Sequence, residues 1–193
     1  MTYIVYLINR LRLLPHIRLF KTHKDKDIIQ YDVQRWLEIL NIKTDTSLGF
    51  RILMMSFPEF RNLFYHRIGT NSLWLNFLCP RMDSLYIYTK KVGPGLFIQH
   101  GFATIIAAKS IGRDCWINQQ VTIGFSNETD CPLLGDNVTI NAGAKIIGSL
   151  KMGNNSIAGA NAVVVKDVPD DCTVVGVPAY IICRAGKKVR EKL

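Results

Sequence analysis

The sequence predicts a mainly β fold, a parallel β-helix of hexapeptide repeats preceded by a region of α-helices. Two observations lead to this prediction. In the first 80 residues apolar side chains recur at three- and four-residue steps, which is the spacing of an α-helix. From residue 92 onward an aliphatic or small residue instead occupies every sixth position, the signature of a hexapeptide β-helix. A six-residue period matches neither the roughly 3.6 residues of an α-helical turn nor the roughly 3.5 of a coiled coil.

The N-terminal region, residues 1–83, is expected to form an α-helical cap. Its helical segments are predicted to be separated at Pro15, at the turn 45–49 and at Pro58. One apolar stripe repeats at helical spacing and is predicted to be a packing face. Its members are Ile29, Val33, Trp36, Leu37 and Leu40.

The first 24 residues carry five Lys or Arg side chains, no acidic residue and many large apolar side chains. This composition is typical of a basic amphipathic helix. Such a helix could lie on a lipid surface or dock on its own oligomer, and the sequence leaves both interpretations open.

The second region, residues 84–184, contains the six-residue repeat. The residues predicted to point into the β-helix are Val92, Ile98, Ile105, Ile111, Ile117, Ile123, Leu134, Ile140, Ile146, Met152, Ala158 and Val164. Two steps are too long: seven residues from Ile98 to Ile105, around His100, and eleven from Ile123 to Leu134. Each coil of a solenoid packs on its neighbours, so an insertion must project outward. The two interruptions are therefore the candidate functional positions. Residues 185–193 follow as a basic tail.

Composition narrows the class of protein. The five cysteines are an odd number without CxxC spacing, which indicates neither a disulfide framework nor a zinc knuckle. The net charge of +9 is concentrated in residues 1–91, which hold 14 Lys/Arg against 7 Asp/Glu. No nucleic-acid-reading motif accompanies it, so an anionic membrane surface or an acidic substrate is the better explanation. No apolar stretch approaches the roughly 20 residues of a membrane span, and no signal peptide is evident, so a cytoplasmic protein is expected.

Four stretches of the second region carry motifs of a known family. They are KVGPGLFIQHG at 91–101, QQVTIG at 119–124, INAGAKIIG at 140–148 and GVPA at 176–179. Together they resemble the serine acetyltransferase branch of the hexapeptide acyltransferases. The resemblance implies a left-handed parallel β-helix, a homotrimer, and acetyl-CoA bound in the groove between subunits. Whether trimers pair through their caps, as a dimer of trimers, is left open.

The resemblance also implies residues for the acetyl-CoA site. A pantetheine arm approaches backbone amides only where side chains are small, and Lys166 resembles the family lysine near the CoA phosphates. The residues expected to bind the cofactor are Gly124, Ala142, Gly143, Ala160, Lys166, Val177, Pro178 and Arg184.

His100 is the candidate catalytic base. A hydroxyl that attacks a thioester must lose its proton, and an imidazole is largely neutral and able to accept it near pH 7. His100 is the only one of four histidines within the repeat region, and it matches the family base. A metal site on this fold would need several histidine ligands, so no metal is predicted.

Departures from the family concern the acceptor. Gln99 and Leu85 replace the two aspartates that accompany the family histidine. In the extruded loop, Asp130 and Cys131 replace an arginine and a histidine expected near the serine carboxylate, which is electrostatically unfavourable for L-serine. Gln99, Phe125, Asp130 and Cys131 are the candidate acceptor-binding residues.

The stretch FPEFRNLFYHR at 57–67 resembles the N-terminal region of serine-acetyltransferase-like enzymes of bacterial capsule and exopolysaccharide clusters. The leading hypothesis is therefore acetyl transfer to a sugar hydroxyl, on a nucleotide- or lipid-linked saccharide, at the cytosolic face of the inner membrane. A serine O-acetyltransferase of cysteine biosynthesis is the alternative. A non-catalytic hexapeptide scaffold at the membrane surface is an alternative of another class.

Overall fold

The computed structural model describes the backbone of residues 3–69 and 72–193, and the side chains of residues 11–69, 72 and 74–193. The chain divides into two compact units, Met1–Met82 and Asp83–Leu193. Within the described part of the first unit the helices are α1 (Tyr3–Thr22), α2 (Lys26–Ile39), α3 (Thr46–Ser56), α4 (Pro58–Ile68) and α5 (Ser72–Leu78). No helix in the described ranges is long and apolar enough to cross a membrane.

The helical stripe predicted from Ile29 to Leu40 is confirmed as α2, in which four of its members are buried, while Leu40 is the C-cap and is partly exposed. The predicted helix break at Pro15 is not formed. Pro15 lies inside α1, which continues past it because Leu13, His16 and Phe20 on either side are buried. For the basic amphipathic helix predicted in the first 24 residues, the side chains of 1–10 lie outside the described residues.

The expected turn at 45–49 is the start of α3. The Asp45 carboxylate accepts hydrogen bonds from the main-chain N–H groups of Ser47 and Leu48, at 2.9 and 3.0 Å. These bonds satisfy donors that have no partner within the helix, so Asp45 is a helix N-cap. Aspartate is common both in turns and at helix N-caps, so the sequence pattern alone does not distinguish the two. In the structure Asp45 is the N-cap of α3.

The stretch 57–67 packs the first unit. Phe60, Phe64 and Tyr65 are each 1% exposed, and the rings of Phe60 and Phe64 meet Phe50 edge-on at 6.2 and 5.1 Å. Arg67 forms a buried ion pair with Asp32 of α2, with Nε 2.8 Å from Oδ2. This motif therefore has a structural role within the helical unit.

The second unit is a parallel β-helix with three sheets. The first sheet contains β1 (Leu85–Ile87), β3 (Thr104–Ile106), β6 (Thr122–Gly124), β9 (Lys145–Ile147) and β12 (Val163–Val164). The second contains β4 (Ser110–Ile111), β7 (Leu133–Leu134) and β10 (Lys151–Met152). The third contains β2 (Phe97–Ile98), β5 (Trp116–Ile117), β8 (Thr139–Ile140), β11 (Ile157–Ala158), β13 (Cys172–Val175), β14 (Tyr180–Arg184) and β15 (Lys187–Lys192).

Each six-residue step moves the inward side chain from one sheet to the next. Leu134, Ile140 and Ile146, for example, belong to the second, third and first sheets, and none of them is more than 2% exposed. The prediction of a parallel β-helix after an N-terminal helical region is therefore confirmed. The segment 185–193, expected as a tail, instead includes β15, which pairs antiparallel with β14.

The assignment of Ile105 to the interior is wrong. Ile105 is 40% exposed, whereas Ile106 is fully buried and pairs with Ile123. The six-residue pattern cannot choose between two adjacent isoleucines, and the alternation of the strand places Thr104 and Ile106 on the inner side.

Candidate active site

His100 lies in a two-residue bulge at the corner that leads from the third sheet to the first. Ile98 pairs with Ile117, 19 residues further on, but Ile105 pairs with Thr122, only 17 further on. The corner between β2 and β3 therefore holds two residues more than the equivalent corner of the next coil, between β5 and β6. His100 and Gly101 both have left-handed φ values, 62° and 45°, in addition to the left-handed residue found at each such corner.

The bulge turns the His100 side chain to solvent. It is exposed, and its imidazole has no hydrogen-bond partner among the residues that the structure describes. Leu85, at the position of a family aspartate, is 4% exposed and buried within the coil. In the described part of this chain, no carboxylate is therefore hydrogen-bonded to the imidazole.

Gln99 is fixed by a residue that the sequence did not indicate. The Nε1–H of Trp116, on the next coil, donates to Gln99 Oε1 at 3.2 Å and to Asn118 Oδ1 at 2.8 Å. Asn118 in turn donates to Asn141 Oδ1 at 3.4 Å. The result is a column of amides along the corner beside His100. Trp116 could have been identified only from the pairing of β2 with β5, in which residues 19 positions apart stack. That offset is not known until the fold is known.

The extruded loop lies at the corner between the first and second sheets, where Phe125 is exposed and Cys131 half-buried. Asp130 is engaged by the loop itself, accepting from the N–H groups of Ser126 and Asn127 at 2.7 and 3.0 Å and from the Ser126 hydroxyl. The Ser126 hydroxyl first, and then nearby main-chain N–H groups, hold the pKa of the Asp130 carboxyl below its usual range. The carboxylate of Asp130 is therefore already hydrogen-bonded, and the electrostatic objection to an acceptor carboxylate is weaker than the sequence suggested.

Two groups of the expected cofactor residues are separated along the coil. Ala142, Gly143 and Ala160 line the same corner as His100, on later coils, and the Asn161 N–H donates to the Ala142 carbonyl at 2.9 Å. Gly124 ends β6, and a Cβ at this position would meet no atom within 4 Å. The backbone at Gly124 is therefore open, whereas at Gly143 the Asn161 side chain of the next coil occupies the space beside the glycine.

The cationic residues belong to the other group. Lys166 and Pro178 line a cavity of about 510 Å³ together with residues 190–193 of the C-terminal strand. The Lys166 ammonium donates to the Leu193 carbonyl at 2.9 Å, and Arg184 pairs with Glu191 at 2.6 Å. Val177, beside the cavity, is 72% exposed. Arg190 and Lys192 also line this cavity and were not expected, because only the hairpin of β14 and β15 brings them there.

The candidate residues therefore occupy two corners that flank the first sheet. His100, Gln99 and Ala142 lie at one, and the extruded loop and Lys166 at the other. A three-residue strand of the first sheet spans roughly 10 Å, so one chain does not bring the two groups into contact at this sheet.

A parallel β-helix that follows an N-terminal helical region is an architecture shared with solved serine acetyltransferases. The chain superposes on the serine acetyltransferase of Neisseria gonorrhoeae with a TM-score of 0.71 and 27% identity, covering 89% of this chain and 69% of that one. The complex of that enzyme with serine gives a TM-score of 0.66 and 28% identity, over 83% and 70%.

Sequence relatives point the same way. The chain is 34% identical over 154 residues to the serine acetyltransferase of Synechococcus elongatus, which is 71% of this chain and 62% of the relative. It is 42% identical over 103 residues to that of Staphylococcus aureus strain Mu50, covering 51% and 48%. The chain thus spans about half to three fifths of these relatives. No protein-family model matches it. The similarities do not support the resemblance to capsule and exopolysaccharide enzymes.

Proposed function

We propose that this chain is an acetyl-CoA-dependent O-acetyltransferase in which His100 is the general base, and that L-serine is its acceptor. The observation that carries the proposal is the exposed His100 bulge, set in a β-helix similar to those of serine acetyltransferases. L-serine is preferred to the sugar of the leading sequence hypothesis because the relatives are named as serine acetyltransferases.

The reaction needs one proton acceptor and one polarised carbonyl. The His100 imidazole takes the proton of the attacking hydroxyl as its oxygen forms a bond to the acetyl carbon. The tetrahedral intermediate then collapses, the C–S bond breaks, and the imidazolium returns the proton to the departing CoA sulfur. A main-chain N–H beside a small residue of a facing coil, such as Ala142, is a suitable donor to the oxyanion, whereas the Gly143 N–H already donates to the Gln119 carbonyl at 3.0 Å.

The donor is proposed to lie along the small residues of the corner, with its phosphates near the C-terminal cavity. Lys166 supplies positive charge there, with Pro178 as an apolar neighbour. Arg184 is connected to the cavity through its ion pair with Glu191, which lines it, and Val177, the residue before Pro178, is exposed. In this structure Lys166 is bonded to the Leu193 carbonyl and Arg184 to the Glu191 carboxylate. To bind the CoA phosphates, the two cations must leave these partners.

A homotrimer would complete the site. The two corners that carry candidate residues flank the same sheet and do not meet within one chain. Packing the His100 corner of one subunit against the loop corner of the next would form a single groove from both. Gln99 and the loop residues Phe125, Asp130 and Cys131 would then shape the acceptor end.

A neutral hydroxyl acceptor, such as a sugar, is the second candidate, and Gln99 favours it. An amide stands where the family has a carboxylate, and Trp116 holds its carbonyl oxygen. A neutral amide attracts the ammonium of L-serine less than a carboxylate does, and it suits hydroxyl groups.

Release of free CoA from acetyl-CoA tests both candidates. Purified wild type, His100→Ala and the control His23→Ala would be assayed with L-serine, with sugars and nucleotide sugars, and without acceptor. Serine-dependent release that is lost in His100→Ala and kept in His23→Ala is expected. Sugar-dependent release alone would favour the second candidate. No release with any acceptor would contradict both and favour a non-catalytic scaffold.

A further inference from the structure

Helices α1 and α5 of the first unit expose large apolar side chains to solvent. Leu11 and Leu14 are each 57% exposed, Trp74 is 58% exposed and Phe77 is 89% exposed. Single exposed apolar residues are ordinary on protein surfaces, but several on two adjacent helices indicate a contact surface.

The two helices are neighbours in the packed unit. The His16 imidazole of α1 lies 2.9 Å from the Tyr65 hydroxyl. This hydroxyl contacts the main-chain carbonyl of Leu75, within α5, at 3.1 Å and that of Cys79, just beyond its end, at 2.7 Å. The inner sides of α1 and α5 therefore meet through Tyr65.

The exposed stripe of α1 combines apolar and basic residues. Leu11 and Leu14 are followed on the same helical face, at steps of four and three residues, by the exposed Arg18 and Lys21. We call these four residues, together with Trp74 and Phe77, the docking face.

Charge selects the partner. The first 24 residues contain no acid, α5 contains no charged residue, and residues 1–82 hold 12 Lys/Arg against 6 Asp/Glu. A second copy of the same face would bring like charges together. Nucleic acid would match the charge but would leave the aliphatic side chains of Leu11 and Leu14 without a suitable contact.

We propose that the docking face binds the surface of an anionic lipid bilayer. Leu11, Leu14, Trp74 and Phe77 enter the interfacial layer, and Arg18 and Lys21 contact the phosphate headgroups. This contact thereby holds the protein at the membrane surface. This inference does not depend on the proposed function, because lipid binding needs neither acetyl-CoA nor an acceptor.

Vesicle binding by the full chain is the test, with neutral phosphatidylcholine vesicles compared with vesicles containing about 30% phosphatidylglycerol. Binding is measured by co-sedimentation and by tryptophan emission. Of the three tryptophans, Trp36 is buried, Trp116 of the second unit is half-buried and Trp74 is exposed. A blue shift that Trp74→Phe abolishes therefore reports insertion of the docking face and not a change at Trp116.

Two paired variants address the apolar and basic parts: Leu11→Ser with Leu14→Ser, and Arg18→Glu with Lys21→Glu. All four side chains are exposed on α1, so their replacement should leave the fold intact. Circular dichroism checks that the helices are retained. The matched control reverses two exposed lysines of the second unit, Lys187→Glu with Lys188→Glu.

We expect binding to anionic vesicles only, weakened about tenfold or more by either α1 pair and by high salt, and unchanged by the Lys187 and Lys188 control. Equal binding by the α1 variants and wild type would overturn the proposal. A change of oligomeric mass in Leu11→Ser with Leu14→Ser, without vesicle binding by wild type, would assign the face to a second copy instead. Binding to RNA without binding to vesicles would also overturn it.

Discussion

Lowering the pH is expected to destabilise the helical unit through His16, which is fully buried beside Tyr65. Burial lowers the pKa of His16 from 6.5 to about 4, and the nearby Arg12 and Arg61 charges act in the same direction. The unfolded chain therefore takes up a proton that the folded state resists. His16 contributes stability that is complete above pH 6.5 and is lost as the pH falls toward 4. At about 1.4 kcal/mol per pKa unit, the loss is about 3 kcal/mol.

Hydrogen bonding opposes this effect. The His16 Nδ1 lies 3.1 Å from the Arg12 carbonyl, and Nε2 lies 2.9 Å from the Tyr65 hydroxyl. That hydroxyl lies 2.7 Å from the Cys79 carbonyl, so when it donates there it must accept from the ring. A neutral imidazole has one N–H and cannot serve both acceptors, whereas an imidazolium can. The prediction therefore tests whether burial outweighs these bonds.

Urea unfolding of wild type and His16→Gln at about pH 7, 5.5 and 4 measures the balance. The buried Trp36 of the same unit reports unfolding by fluorescence. The free energy of unfolding of wild type should fall by about 3 kcal/mol more than that of the variant between pH 7 and 4. Other titrating groups are common to both proteins and cancel in this difference. A constant difference, or one that grows in favour of wild type at low pH, would refute the reasoning.

Three further outcomes are expected. Asp32→Ala removes the carboxylate from the buried Arg67 guanidinium and should lower the free energy of unfolding by about 3–5 kcal/mol in urea titrations; a loss below about 1 kcal/mol would contradict a buried charge effect. Ile140→Ala, at a fully buried β-helix position, should cost about 2–5 kcal/mol, and a smaller loss would mean that the coils collapse around the cavity. Glu191→Gln releases the exposed Arg184 and should lower the KM for acetyl-CoA roughly two- to fivefold with kcat unchanged; an unaltered KM would place the donor phosphates elsewhere.

Several features of the fold follow from short-range pattern. The inward positions Leu134, Ile140 and Ile146 were predictable because each side of a coil takes six residues. This spacing is read along the chain without knowledge of distant contacts. The helix α2 was predictable for the same reason, since its buried stripe repeats at helical spacing. The exposed histidine bulge was located by the break in that period, although its length was misjudged by one residue.

Features decided by neighbouring coils and helices were not predictable. Two adjacent isoleucines satisfy the period equally, and only the pairing of Ile106 with Ile123 selects one of them. Pro15 is a helix breaker by composition, yet α1 continues because its flanking side chains are buried.

The sequence by itself determined the class of fold, the two places where its repeat is interrupted, and a histidine at one of them. The tertiary structure decided what the residues at those places contact: Trp116 holds Gln99, the loop engages Asp130, and the C-terminal strand holds Lys166. The physical reason is that a repeat is a local property of the chain, read within a few residues. A hydrogen bond between coils instead depends on stacking residues that are 16 to 23 positions apart in this β-helix.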